Sequence, residues 1–176
     1  MRLNLREIIE IPGGSVPFSQ ELDTALLDFP SVRAYTAPIT AEGKVVNTAG
    51  ILTLQGRLHA QMLCVCDRCG AEFPRMVDLD LHADITADAQ DDDPEVFTLD
   101  GDWLDVDEVL STCFILSMDT KCLCKPDCAG LCDRCGANLN LGPCRCQKPR
   151  DPRMAVLEQL LDNKTDEEEE AAHNSD

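Results

Sequence analysis

Two stretches of the chain alternate apolar and polar residues with a period of two. From Ile51 to Met62, residues Leu52, Leu54, Gly56, Leu58 and Ala60 fall on one side, and Thr53, Gln55, Arg57, His59 and Gln61 on the other. From Val77 to Ile85, residues Val77, Leu79, Leu81, Ala83 and Ile85 oppose Asp78, Asp80, His82 and Asp84. That period predicts two half-buried strands. Between them, Cys64-Val65-Cys66-Asp67-Arg68-Cys69-Gly70 reads as the tip of a hairpin. Weaker strand signals come earlier. Glu7 to Ile11 is a short apolar run stopped by Pro12, Gly13 and Gly14. Val32 to Thr40 reads as a strand that Pro38 assigns to an edge, with Gly43 ending it and Lys44 to Ala49 following. The region up to about Thr86 therefore predicts an antiparallel meander or a small open barrel.

The period changes near residue 106. Val106, Val109, Leu110, Cys113 and Phe114 follow helical spacing, so a helix over Val106 to Met118 should pack one face on the sheet. Asp105 can cap its start, with Glu108 completing a capping-box variant. Before it, Ala87 to Asp102 is acidic and aperiodic and reads as a loop. After the helix comes a cysteine-rich module. A short helix follows it, capped by Asp151 and opened by Pro152, with Met154, Leu157, Leu160 and Leu161 as its apolar stripe. From Asp162 the chain is polar, with Glu167 to Glu170 in a row, and its composition predicts disorder. The fold class is α+β. Residues 1–118 form a β-rich domain with a closing helix, residues 119–161 a Cys-rich metal-binding module with a short helix, and residues 162–176 an acidic tail.

Composition narrows the function. The 176 residues carry 33 Asp+Glu against 15 Lys+Arg, a formal net charge of −18, which repels phosphate backbones at long range. Aromatic residues make up 4% of the chain, too few for a broad base-stacking surface. Between Val77 and Leu110 there are thirteen acidic residues and no Lys or Arg; a solvated surface accounts for them more simply than a cation site. No signal-peptide core follows Met1, and no segment reaches the roughly 18 apolar residues that span a bilayer. The expected location is the cytoplasm, where eleven cysteines point to metal binding rather than disulfides.

Seven of those cysteines lie within the 25 residues from Cys122 to Cys146. Cys132-x2-Cys135-Gly136 has the spacing of a zinc knuckle, in which two thiolates reach one ion and backbone N–H groups donate to the sulfurs. Cys144-x-Cys146 supplies a second pair. Cys132, Cys135, Cys144 and Cys146 together could make a closed, four-thiolate Zn²⁺ site that replaces the core this segment lacks. A second site would pair Cys124-x3-Cys128 with Cys66-x2-Cys69 of the hairpin; the alternative is that Cys66 and Cys69 are a reducible pair or packed thiols. Cys64 and Cys122 would then be spare, and Cys113 a small buried hydrophobe. No His lies between Leu110 and Leu161, so an open catalytic zinc site is not expected. His59 and His82 read as surface residues, and His173 lies in the tail. No phosphate loop or catalytic triad is visible. The reading is therefore no enzyme. From Thr120 to Arg153 there are seven basic and three acidic residues; Arg145, Lys148, Arg150 and Arg153 are the best candidates for RNA contact, with solubilising charge as the alternative.

These residues resemble the YceD-like family of large ribosomal RNA subunit accumulation proteins. The likeness runs through Cys66-Asp-Arg-Cys69, Leu104 to Glu108, Cys124-x3-Cys128-Ala-Gly-Leu-Cys132-x2-Cys135-Gly-Ala-Asn-Leu-Asn140, Cys144-x-Cys146 and the Asp151-Pro-Arg153 helix start. Gly70 and the additional Cys64, Cys113 and Cys122 depart from its pattern. The resemblance implies a non-enzymatic role in synthesis, processing or stability of large-subunit (23S) ribosomal RNA and in ribosome biogenesis. Partners would be ribosomal RNA, a ribosomal protein or an assembly intermediate, with no membrane and no small-molecule substrate. Two other classes remain open on the residues alone: a redox-active or iron–sulfur metal-handling protein, and a DNA-binding zinc ribbon.

Overall fold

A computed structural model describes residues 1–86 and 96–146. The chain divides into two compact units, Met1–Gly130 and Leu131–Asp176. Lys148, Arg150, Arg153, the expected helix from Asp151, the acidic tail with His173, and most of the acidic loop after Thr86 lie outside the described residues.

The first unit runs β1 (Arg2–Asn4), α1 (Arg6–Ile9), β2 (Ser15–Leu22), β3 (Val32–Tyr35), β4 (Ile39–Thr48), β5 (Ile51–Val65), β6 (Glu72–Thr86), β7 (Val96–Thr98), β8 (Trp103–Asp105) and α2 (Val106–Ser117). The two strands with the clearest alternation are the two longest, β5 and β6. They pair antiparallel from Leu52 opposite Ile85 to Val65 opposite Glu72. The sheet order is β2-β4-β5-β6-β7, and β5 pairs with β4 along its first half and β3 along its second. A separate two-stranded ribbon joins β1 to β8. The sheet is open, so of the two expected architectures the meander holds and the barrel does not.

One sheet face is buried under α2 and the N-terminal segment. Ile39, Val45, Leu54, Leu58 and Met62 meet Leu5, Leu104, Val106, Leu110 and Phe114 in a single core. Phe114 also contacts Phe29 edge to face, with ring centroids 5.9 Å apart. The other face is polar: Glu42, Arg57, Asp78 and Asp80 are exposed, and Asp80 and Asp78 pair across strands with Arg57 and His59. The second helix starts as expected, with the Asp105 carboxylate accepting from the Asp107 N–H at 3.1 Å.

Three local expectations differ from the structure. Glu7 to Ile11 is mostly helical, not a strand, because α1 covers Arg6–Ile9. Buried Asn47 anchors it, donating to the Ile8 and Ile9 carbonyls at 2.7 and 2.9 Å. Gly43 does not end a strand. It sits inside β4 opposite Gly56 of β5, and a Cβ on either residue would fall within 3 Å of the other backbone. Glycine here permits close approach rather than a turn. Lastly, Val32 to Thr40 is two strands, since β3 ends at Tyr35 and β4 begins at Ile39 beyond Pro38.

Candidate metal centre

The β5–β6 hairpin turns through Cys66-Asp67-Arg68-Cys69-Gly70-Ala71, and the second unit opens with Cys132-Asp133-Arg134-Cys135-Gly136-Ala137. The six residues are identical, and so is the backbone they form. In the first turn Cys66 N–H donates to Ala71 C=O at 2.9 Å and Gly70 N–H to Cys66 C=O at 2.8 Å. In the second, Cys132 N–H donates to Ala137 C=O at 2.8 Å and Gly136 N–H to Cys132 C=O at 2.9 Å. The glycines have φ of 67° and 70°, a left-handed conformation that favours glycine. Each turn aims two thiols into the same small space.

Each turn meets a second pair of thiols. Cys66, Cys69, Cys124 and Cys128 form one cluster and Cys132, Cys135, Cys144 and Cys146 another; within each, all four Sγ atoms lie within 4.8 Å of one another. The Sγ–Sγ separations are 3.8 Å for Cys66–Cys128, 3.7 Å for Cys69–Cys124 and 3.4 Å for Cys132–Cys144. A disulfide would bring two sulfurs to about 2.05 Å. Four thiolates around one tetrahedral ion at about 2.3 Å sit about 3.8 Å apart along each edge. The donor set therefore fits a single thiophilic ion in each cluster, and the clusters could hold a metal.

Charge supports the same reading. In the first cluster burial pushes the Cys66 thiol up, but the backbone N–H groups of Cys124, Cys69 and Arg68 outweigh it and hold the thiol down to about 6. Burial and the neighbouring thiols push Cys124 up to about 12. The second cluster repeats the split. N–H groups of Cys135 and Arg134 bring Cys132 down to about 7, while the Cys135 thiol and burial push Cys146 up to about 12. One thiolate is stabilised and its neighbour is denied a charge, a conflict that a divalent cation relieves.

The first cluster is embedded. Cys66, Cys69 and Cys128 are buried and pack with Ala71, Phe73 and Leu123. Its Asp-Arg pair clasps the returning chain: Asp67 accepts from Cys122 N–H at 2.6 Å and donates its own N–H to Cys122 C=O at 2.9 Å, and Arg68 donates to Cys128 C=O at 3.0 Å. The second cluster is more open: Cys135 is exposed and Cys144 and Cys146 are half-buried. Arg145 is exposed beside it. Of the remaining cysteines, Cys64 and Cys122 are buried outside both clusters, Arg75 reaches the Cys122 sulfur at 3.8 Å, and Cys113 packs against the core from α2. His59 hydrogen-bonds Asp78 at 2.6 Å on the polar face, and His82 is exposed; neither belongs to a cluster. The duplicated hexapeptide escaped the reading of the sequence, although the identity of the two segments signals it directly.

Residues 54–161 match the family described as large ribosomal RNA subunit accumulation protein YceD, a span containing all eight clustered cysteines. The chain belongs to the YceD family. The curated relatives are distant. Uncharacterized proteins of Mycobacterium tuberculosis and Mycobacterium bovis are each 27% identical over 122 residues, covering 66% of this chain and 58% of theirs. A Zea mays protein named large ribosomal RNA subunit accumulation protein YCED homolog 1, chloroplastic, is 24% identical over 147 residues, covering 65% of this chain and 50% of its own. The chain thus spans little more than half the length of these relatives. No solved structure matches this YceD protein.

Proposed function

We propose that this protein is a non-enzymatic, zinc-stabilised factor in the synthesis, processing or stability of 23S ribosomal RNA, acting during assembly of the large ribosomal subunit in the cytoplasm. The observation that carries the reading is the family match across both cysteine clusters. Zn²⁺ is the assigned ion because it takes four thiolates in closed tetrahedral sites and leaves no position for substrate. Such sites serve to hold a shape. Among the described residues, no helix is long and apolar enough to cross a membrane.

The charge distribution suggests how that shape is used. The acidic first unit suits a basic ribosomal protein. The segment from Thr120 to Arg153 carries the excess of basic residues, and Arg145, Lys148, Arg150 and Arg153 are the side chains assigned to ribosomal RNA. Depletion of the protein tests the reading. The ratio of mature large-subunit to small-subunit ribosomal RNA should fall, and the protein should sediment with large-subunit precursors. An unchanged ratio without such association contradicts it. Colour separates zinc from the metal-handling alternative, because zinc–thiolate protein is colourless and iron–sulfur protein is brown.

A further inference from the structure

The hydrogen bonds of the β5–β6 hairpin fix which way the backbone of β6 points. Cys66 N–H donates to Ala71 C=O, so odd-numbered residues of β6 face β5. Even-numbered residues face the opposite edge. Thr86 obeys the same parity, since its carbonyl accepts from Leu99 N–H just beyond β7. β7 covers only Asp84, Ile85 and Thr86. Upstream of Asp84, among the described residues, no strand pairs with that edge. The backbone N–H and C=O groups of Met76, Asp78 and Asp80 on that edge therefore have no ladder partner among the described residues. Pro74 has the same parity, which puts its ring, without an N–H, where no ladder bond is needed.

A groove of about 290 Å³ runs beside this edge. Leu79, Leu81, Phe97, Cys113 and Leu116 line it, and Leu116 is 60% exposed. Natural sheets guard long free edges with lysine, proline or a covering element. Here the guard is acidic. Asp78, Asp80 and Asp84 project from β6, and no Lys or Arg occurs from Val77 to Leu110. Of these three carboxylates, Asp80 pairs with Arg57 and Asp78 with the His59 ring, both in exposed contacts that neutralise little. With a net charge of −18, a second copy of this chain is repelled from the edge.

We propose that the free edge of β6 takes up an extended, basic segment of a protein partner as an added strand. Alternate side chains of that segment are lysine or arginine facing Asp78 and Asp80, upstream of the stretch that β7 covers. The intervening side chains are apolar and enter the groove between β6 and α2. Backbone ladder bonds supply affinity, and the two faces supply selection. This deepens the proposed function by naming the surface that meets a basic partner.

The probe is a labelled, acetylated peptide of alternating lysine and valine, nine residues long, titrated against the full chain. Two controls keep its charge: a block peptide of the same composition, and the alternating peptide N-methylated at every second residue. Only the unmodified alternating peptide should bind, with the controls at least tenfold weaker. Asp80→Pro removes one open-edge N–H without touching a backbone ladder bond to β5, although it gives up the exposed Arg57 pair, and should weaken binding at least tenfold. Leu116→Asp, at an exposed position, should do the same. Equal binding of all three peptides means charge attraction alone and overturns the proposal. So does full binding by both variants, or concentration-dependent self-association that the peptide does not disperse. The assay contains no ribosomal component, so its failure leaves the ribosomal RNA ratio untouched, and an unchanged ratio leaves the peptide result standing.

Discussion

Consider replacing both Cys124 and Cys128 by serine. The first cluster then keeps only the hairpin pair Cys66 and Cys69, too few ligands for a closed site. The wild-type site joins residues 55 positions apart, Cys69 and Cys124. A cross-link closing a loop of that length removes about 4 kcal/mol of chain entropy from the unfolded state. An ion held by all four thiolates, as proposed, acts on the same loop, so its loss should destabilise the first unit by about 4 kcal/mol or more. The three hydrogen bonds from Asp67 and Arg68 to the returning segment survive in the variant, contributing about 1 kcal/mol each. They keep the segment docked, so the loss should register as global unfolding rather than a frayed end. Trp103, the single tryptophan, lies in β8 and reports on the transition. Urea denaturation in zinc-buffered solution, read by its fluorescence, gives the difference directly. Cys144→Ser with Cys146→Ser is the control and should leave this transition in place. A Cys124/Cys128 double variant within about 1 kcal/mol of wild type would refute the stapling argument.

Gly56→Ala should destabilise the sheet by about 3 kcal/mol in the same denaturation assay, because its Cβ would stand 2.4 Å from the Glu42 carbonyl and 2.9 Å from Gly43 Cα; a neutral result would mean the strands do not approach so closely. Asn47→Ala should cost about 2–3 kcal/mol and raise amide exchange in α1, since it strands the Ile9 carbonyl and the Gly50 N–H and takes one of several donors from the Ile8 carbonyl. A graded chelator should empty the second cluster before the first, following the exposure of Cys135 against the burial of Cys66, Cys69 and Cys128; simultaneous release would contradict two independent sites.

How far the sequence could be read depended on whether the deciding contact was local. β5 and β6 announced themselves because each buries one face, and their alternation maps onto burial except at Thr53, which is buried from the polar side. Asp105 and the helical spacing of Val106, Val109, Leu110 and Phe114 located α2 for the same reason. What failed was set by partners distant in the chain. α1 takes its anchor from Asn47, nearly forty residues away. Gly43 looks like a breaker until Gly56 is placed opposite it. Strand β2 was missed, although Val16, Phe18 and Leu22 alternate, because Pro17 masks the pattern; among the described residues it is an edge strand, paired with β4 alone. In the cysteine region the local spacing pointed to the Cys132–Cys135 knuckle and left Cys66 and Cys69 open between a second site, a reducible pair and packed thiols. It named Cys124 and Cys128 as their partners but could not decide whether the four meet, since only the folded hairpin brings them together.

The most direct test of the two-site account is a metal count on anaerobically purified full-length protein, by elemental analysis against amino-acid concentration. The account predicts two zinc ions per chain in colourless protein, falling to one when Cys124 and Cys128 are both serine. A chain carrying no metal, or one whose wild-type content the double variant leaves unchanged, would contradict it.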